Sequence, residues 1–166
     1  MFVLGVDPGL SRCGYGCVDA TSGRARPVAM GVLRTPPADP LPQRLAALQV
    51  GIASLIAELR PAAVAVERVF FQVNARTAMS VAQASGIVLA AAAHAGCDVA
   101  QYTPNEVKHA VTGWGGAAKQ QVQRMVQVLL GLSAPPRPPD VADALALALC
   151  HLAVAPARAR ILRAVR

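Results

Sequence analysis

The sequence predicts an α/β fold, a mixed five-stranded sheet flanked by helices, and three observations carry that prediction. Phe2-Val3-Leu4-Gly5-Val6 is a continuous apolar run closed by Asp7. Ala62-Ala63-Val64-Ala65-Val66 is a second such run closed by Glu67. Between and after these runs lie segments with helical periodicity, so short buried strands alternate with long helices.

The elements follow in order. Residues 2–7 form the first strand and Asp7-Pro8-Gly9 a turn. Gly14 to Asp19 returns antiparallel, Thr21-Ser22-Gly23 turns again, and Pro27 to Leu33 completes a three-strand meander. Pro36-Pro37-Ala38-Asp39-Pro40 is a loop. A helix from about Pro42 to Leu59 places Leu45, Leu48, Ile52, Leu55, Ile56 and Leu59 near a 3.6-residue period, and Pro61 stops it. The fourth strand ends at Glu67. A loop over 68–74 leads to an Ala-rich helix from about Ala75 to Ala95, with Gly96 as its C′ residue. Val99 to Tyr102 is the fifth strand. Thr103-Pro104-Asn105-Glu106 has the pattern of a capping box with Pro at N1, and opens a helix ending near Gly113. After the glycine elbow Gly113-Trp114-Gly115-Gly116, a helix spans roughly 117–130. Ala134 to Pro139 is a stiff linker, and the last helix runs from Asp140 to about Val154. Residues 1–155 are expected to form one domain, followed by a basic tail over 156–166 that frays or extends the helix.

Strands one and four should be neighbours. Asp7 and Glu67 would then stand side by side at the carboxyl edge of the sheet, where open α/β sheets place their sites.

With 54% hydrophobic residues over 166 positions, the chain buries a real core and is not disordered. Its net charge of +7 favours a polyanionic partner, nucleic acid ahead of a membrane surface. Cys13, Cys17, Cys97 and Cys150 form no CxxC pair and read as small buried hydrophobes in a reducing cytoplasm. Met1 leads directly into a strand, so no signal peptide is expected. The apolar run Gly86 to Ala93 is far shorter than the roughly 20 residues a membrane span takes.

The carboxylates carry the chemistry. The chain has nine Asp plus Glu, and four of them, Asp7, Glu67, Asp140 and Asp143, lie at the ends of apolar elements. Asp140 and Asp143, three apart, share one helical face near a helix N-terminus. Singly, Asp7 has a second reading as a turn residue and Asp140 as an N-cap, but a Glu closing an apolar strand has no local structural reason. Buried anions cost several kcal/mol unless compensated. A divalent metal compensates them, and oxygen-only ligands point to Mg²⁺ or Mn²⁺. Two such ions, about 4 Å apart, activate water and stabilise the attacking and leaving oxygens in phosphodiester hydrolysis. The histidines His94, His109 and His151 lack metal-ligand spacing. Trp114 is expected either to form a lid or to rest on the core.

These motifs resemble a known family. Gly5-Val6-Asp7-Pro8-Gly9 with Gly14-Tyr15-Gly16 resembles the opening of the RuvC-type Holliday junction resolvases. Val66-Glu67-Arg68-Val69-Phe70 followed by Asn74 is similar to their second acidic motif. Lys108, with Gly113-Trp114-Gly115 and Lys119, matches their basic segment, and Asp140 to Ala146 their terminal acidic helix. The order and spacing hold from the first strand to His151.

The resemblance implies a ribonuclease-H-like fold and a homodimer that cuts two like-polarity strands of four-way junction DNA symmetrically. It implies Asp7, Glu67, Asp140 and Asp143 as ligands of one or two Mg²⁺ ions per subunit, with Mn²⁺ as a substitute. Lys108 and Lys119 match lysines near the scissile phosphate, and Phe70 an aromatic at the branch point, while Phe71 is expected to pack. The RuvA–RuvB branch-migration complex is the implied partner. Arg68, Arg76 and Arg12 are candidate phosphate contacts.

Three rivals bear on the same residues. An ATP-binding protein of the actin and sugar-kinase type shares the strand–Asp–glycine turn but needs two such domains. A nuclease of the YqgF type would act on structured RNA precursors; the Asp140/Asp143 pair and the Phe-bearing loop favour the junction enzyme. A silent DNA-binding module would have no reason to keep four acids together.

Overall fold

A computed structural model describes the backbone of residues 1–69 and 75–164, and the side chains of residues 1–69 and 78–155. Its elements are β1 (Phe2–Asp7), β2 (Arg12–Asp19), β3 (Arg26–Arg34), α1 (Leu41–Leu59), β4 (Ala63–Glu67), α2 (Ala75–His94), β5 (Asp98–Tyr102), α3 (Pro104–Thr112), α4 (Lys119–Leu130) and α5 (Pro139–Ala164). The five strands lie in the order β3-β2-β1-β4-β5. The first three form an antiparallel meander, and β4 and β5 add parallel to β1. This is the mixed five-stranded sheet the sequence predicts, with β1 and β4 adjacent.

The period-2 alternation of strands sorts side chains between two cores. On β1, Leu4 and Val6 join the cluster built with Leu48, Ile52 and Ile56 of α1 and Ala84, Val88 and Ala92 of α2. Val3 faces the other way, into the cluster built from α3, α4 and α5. On β4, Val64 and Val66 face α1 and α2, whereas Ala63 and Ala65 face the opposite layer. The helices therefore cover both faces of the sheet.

Helix α5 lies directly on β1 and β2, and glycines make the room. A Cβ on Gly5 would stand 1.9 Å from the carbonyl oxygen of Ala144, and one on Gly14 would stand 2.2 Å from that of Asp140. Backbone occupies the space a side chain would need, so the helix axis comes closer than ordinary side-chain packing allows. The early part of α5 is buried accordingly: Val141, Ala142 and the run Ala144 to Cys150 are all in the interior.

Helix α5 continues through Pro156 to Ala164. It thus runs past the expected end near Val154 and takes the helix extension that the sequence leaves open. Strand β2 begins at Arg12, two residues before the expected Gly14. Cys13, Cys17 and Cys150 are buried, Cys97 is half-buried, and all four are free thiols. Among the described residues, no helix is long and apolar enough to cross a membrane.

Candidate active site

Strand parity brings the first two acids together. Because β1 and β4 pair in parallel with Val6 opposite Val66, the next residue of each strand, Asp7 and Glu67, comes at the same sheet edge. Asp7 has the parity of Val3 and Gly5, and Glu67 that of Ala63 and Ala65, so both carboxylates face the α5 layer. Asp7 pairs with Gly14 across β1 and β2. Gly14 is also where the backbone of Asp140 comes down onto the sheet. The missing side chain at Gly14 thus sets the first turn of α5, with Asp140 and Asp143, over Asp7.

The basic residues arrive on two short helices. Thr103 opens α3, its hydroxyl accepting the Glu106 N–H at 3.2 Å while the Glu106 carboxylate accepts the Thr103 N–H at 2.8 Å. This is the capping box read from the sequence, and Lys108 stands one turn further on. Helix α4 begins at Lys119, its N-terminus closed by the Gln121 side chain, which accepts the Ala118 N–H at 2.8 Å. Lys108 and Lys119 line one pocket of about 260 Å³ with Glu67, Asp143, Val107 and Val122.

The electrostatics are those of crowded acids. Burial, then the charges of Glu67, Asp143 and Asp140, push the Asp7 carboxyl up to about 7, with Lys119 opposing. Burial and Asp143 also raise Glu67, against Lys119 and Lys108. Burial draws the Lys119 ammonium down, but its hydrogen bond to Asp143 and the charges of Asp143, Asp7 and Asp140 outweigh that and leave it above its ordinary value. Cys13, beside the cluster on β2, is pushed up to about 12 by burial and then by Asp7 and Asp140, so it stays a neutral thiol.

Two of the acids are engaged by cationic side chains. Arg12 Nη2 lies 2.5 Å from Asp140 Oδ2, and Lys119 Nζ 2.6 Å from Asp143 Oδ2. Among the described residues, no three His, Cys, Asp or Glu side chains converge tightly enough to hold an ion as they stand. The donor set nevertheless fits a hard divalent cation. It is four carboxylates with no nitrogen or sulfur ligand, and Asp7, raised first by burial and then by its three acidic neighbours, is a position where a bound cation would favour the charged form. A cation held by all four acids would have to displace Arg12 from Asp140 and Lys119 from Asp143.

The remaining candidates are placed as follows. Arg68 is exposed just past Glu67, its backbone N–H bonded to the Tyr102 carbonyl at 2.8 Å. Arg76 falls in the first turn of α2. Phe70 and Phe71 lie outside the described residues. Trp114 is 63% exposed and so does not rest on the core. The Arg12–Asp140 pair spans 128 positions of sequence. Nothing local signals it, although the basic side chain just after the glycine turn marks Arg12 as a phosphate candidate. His151 is buried with its Nδ1 2.9 Å from the hydroxyl of Tyr102, the residue that pairs with Glu67 across β4 and β5.

Comparison with known proteins is consistent across sequence and structure. A family model described as "Crossover junction endodeoxyribonuclease RuvC" matches residues 3–151. A crossover junction endodeoxyribonuclease RuvC of Moorella thermoacetica is 53% identical over 160 residues, covering 96% of each chain. One of Salinispora arenicola is 57% identical over 153 residues, covering 92% of this chain and 87% of its own. The Thermus thermophilus RuvC structure in complex with Holliday junction substrate superimposes with a TM-score of 0.89 at 40% identity, covering 95% of this chain and 96% of the other. The yeast mitochondrial Holliday junction resolvase Ydc2, 14% identical with a TM-score of 0.64 and covering 89% of this chain and 77% of its own, shares the fold.

Proposed function

The chain belongs to the RuvC family of crossover junction endodeoxyribonucleases, and from that premise we propose that it resolves four-way (Holliday) junction DNA by paired, symmetric phosphodiester hydrolysis in recombination and repair. The observation that carries the reading is the meeting of β1, β4 and the first turn of α5 at one sheet edge, with two lysines facing it from α3 and α4. The family model and the named relatives are DNA endonucleases, which leaves the RNA-precursor reading without support.

In this reading Asp7, Glu67, Asp140 and Asp143 hold one or two Mg²⁺ ions per subunit, with Mn²⁺ as a substitute. When bound, the metal supplies an activated water and Lewis-acid stabilisation of the oxygens that gain charge. The protein supplies the rest. Asp7 and Glu67 are fixed by the sheet, so the reacting phosphate is positioned against rigid elements rather than loops. Lys108 and Lys119 face the phosphate from one pocket and stabilise the charge building on its oxygens. Lys119 exchanges Asp143 for that phosphate, and Arg12 exchanges Asp140 for backbone phosphate. Arg68 and Arg76 extend the contact, and Phe70 meets the branch point.

The active form is a homodimer, since symmetric cutting of two like-polarity strands requires two sites related by a two-fold axis. It works with the RuvA–RuvB branch-migration complex in the cytoplasm. Residues 1–155 act as the nuclease domain and 156–166 as a basic tail.

The deciding experiment offers the protein a synthetic four-way junction, a linear duplex and a structured RNA, each with Mg²⁺ and with chelator. Symmetric nicking of the junction alone, lost in chelator and lost in Asp7→Asn while junction binding survives, is expected. Full activity in chelator, or preferential cutting of the RNA, overturns the reading.

A further inference from the structure

Trp114 is a large apolar residue held in place on the surface. The described structure leaves it 63% exposed, yet its backbone is fixed at both ends. The Thr112 hydroxyl accepts the Trp114 N–H at 3.2 Å, and lies 3.0 Å from the Trp114 carbonyl and 2.8 Å from the Lys108 carbonyl. The same Trp114 carbonyl accepts the Ala117 N–H at 3.2 Å. Gly116 provides the ring's seat: a Cβ there would lie 2.7 Å from Cζ2 and 2.9 Å from Cε2 of the indole. Any side chain at Gly116 would push the ring out of this position. Gly113 closes α3 in the left-handed conformation, at φ 79°, and turns the chain toward this elbow.

The ring's surroundings point to nucleic acid. Trp114 lines a shallow pocket of about 280 Å³ with Thr112, Ala117, Gln121, Arg124 and Met125. Arg124 also borders the neighbouring groove that contains Arg137. On the other side, α4 presents Lys119 and Val122 to the pocket holding Glu67 and Asp143. The two pockets are therefore separated by one helix, a distance of about 10 Å, which is one or two nucleotides of extended strand. An aromatic platform next to guanidinium groups is the arrangement that holds unpaired nucleotides, with the base on the ring and the phosphate on the cation. Of the residues around the indole, Thr112 and Gln121 are polar and Arg124 is cationic, so the ring's apolar surface has a cation and hydrogen-bonding groups beside it, as a base with its phosphate requires.

We propose that Trp114 is a nucleobase-stacking residue, which with Arg124 grips an unpaired nucleotide of the junction strand close to the bond that is cut. The proposal rests on the junction reading of the acidic site and adds a second, sequence-tolerant contact to it.

The chain has a single tryptophan, so indole emission reports this position alone. Full-length protein is titrated in chelator, where the junction stays uncut, with a four-way junction. Emission and mobility shift are followed on the same samples. Quenching should saturate at the midpoint of the mobility shift. Trp114→Ala should weaken junction affinity about 5- to 100-fold with an unchanged melting temperature, while Trp114→Phe recovers most of it. A fully shifted complex with unaltered emission, together with Trp114→Ala binding like the parent, overturns the proposal and leaves the junction reading intact. No shifted complex at all removes the junction reading and this inference with it.

Discussion

Asp7 is an acid held where its charge is resisted, and that has a measurable consequence. Its carboxyl is raised to about 7 from an ordinary 3.8 by burial and then by Glu67, Asp143 and Asp140. The folded metal-free protein therefore holds this proton more tightly than the unfolded chain does. The stabilisation is complete below about pH 4 and disappears as pH rises through about 7. In chelator, Asp7→Asn and the parent should be close in stability near pH 4. The variant should pull ahead between pH 4 and 7, and the gap should level off above that, at a few kcal/mol in urea melts. Saturating Mg²⁺ should close the gap by stabilising the parent. A gap independent of pH would mean that the carboxyl of Asp7 is not crowded in the folded state. The two lysines make a second case at this scale. Lys119 already sits against Asp143 at 2.6 Å and Lys108 shares its pocket. Lys108→Ala and Lys119→Ala should each lower the single-turnover cleavage rate about 10-fold or more, as removal of a charge-stabilising donor does, with a smaller effect on junction affinity. A loss of affinity at an unchanged maximal rate would make that lysine a general binding residue.

Among the elements, α5 decides whether the acids meet, and the glycines beneath it decide where α5 lies. The Ala144 carbonyl occupies the space of a Cβ on Gly5, at 1.9 Å. Gly5→Ala must lift the helix or bend the strand, at a cost of about 1–3 kcal/mol or more. It should lower the melting temperature, and it should cut activity further than the stability loss alone accounts for, because Asp143 moves away from Glu67. Gly86→Ala is the control, since nothing stands within 4 Å of its Cβ position; it should leave both properties near the parent's. Equal activity in Gly5→Ala and the control, at a temperature where both are folded, would detach helix placement from catalysis. These elements also separate what the sequence reveals from what it hides. The pairing of Asp7 with Glu67 is legible because strand period and parallel neighbourhood both follow from apolar runs. The capping box at Thr103 is legible because its partners lie three residues apart. The Arg12–Asp140 pair is not, since it joins residues 128 apart and depends on how closely α5 approaches β2. Trp114 was open for a related reason: flanking glycines permit a lid or a buried ring equally, and the exposure comes from the hydrogen bonds of Thr112, which no pattern announces.

Across the whole molecule, charge is divided between a negative corner and a positive remainder. Four of the nine acids, Asp7, Glu67, Asp140 and Asp143, lie at the site together with Arg12, Lys108 and Lys119, so the rest of the chain has thirteen basic residues against five acidic ones, a formal surplus of +8 around a corner of −1. The surplus attracts the DNA backbone from any direction, while the corner repels a phosphate until its own charge is compensated. Binding and cutting should therefore respond to different ions. Monovalent salt acts on the surplus: each neutralised phosphate releases counterions, so log affinity should fall linearly with log salt, with a slope near −0.9 per contact. Mg²⁺ acts on the corner, so at fixed ionic strength it should change the cleavage rate far more than the affinity. Measuring both quantities in one salt series, with Asp7→Asn carried alongside, separates the two effects. The variant should keep the parent's salt slope and lose its response to Mg²⁺. A flat salt dependence would mean that the positive surplus does not contact the backbone, and the argument from net charge to a nucleic-acid partner would fail with it.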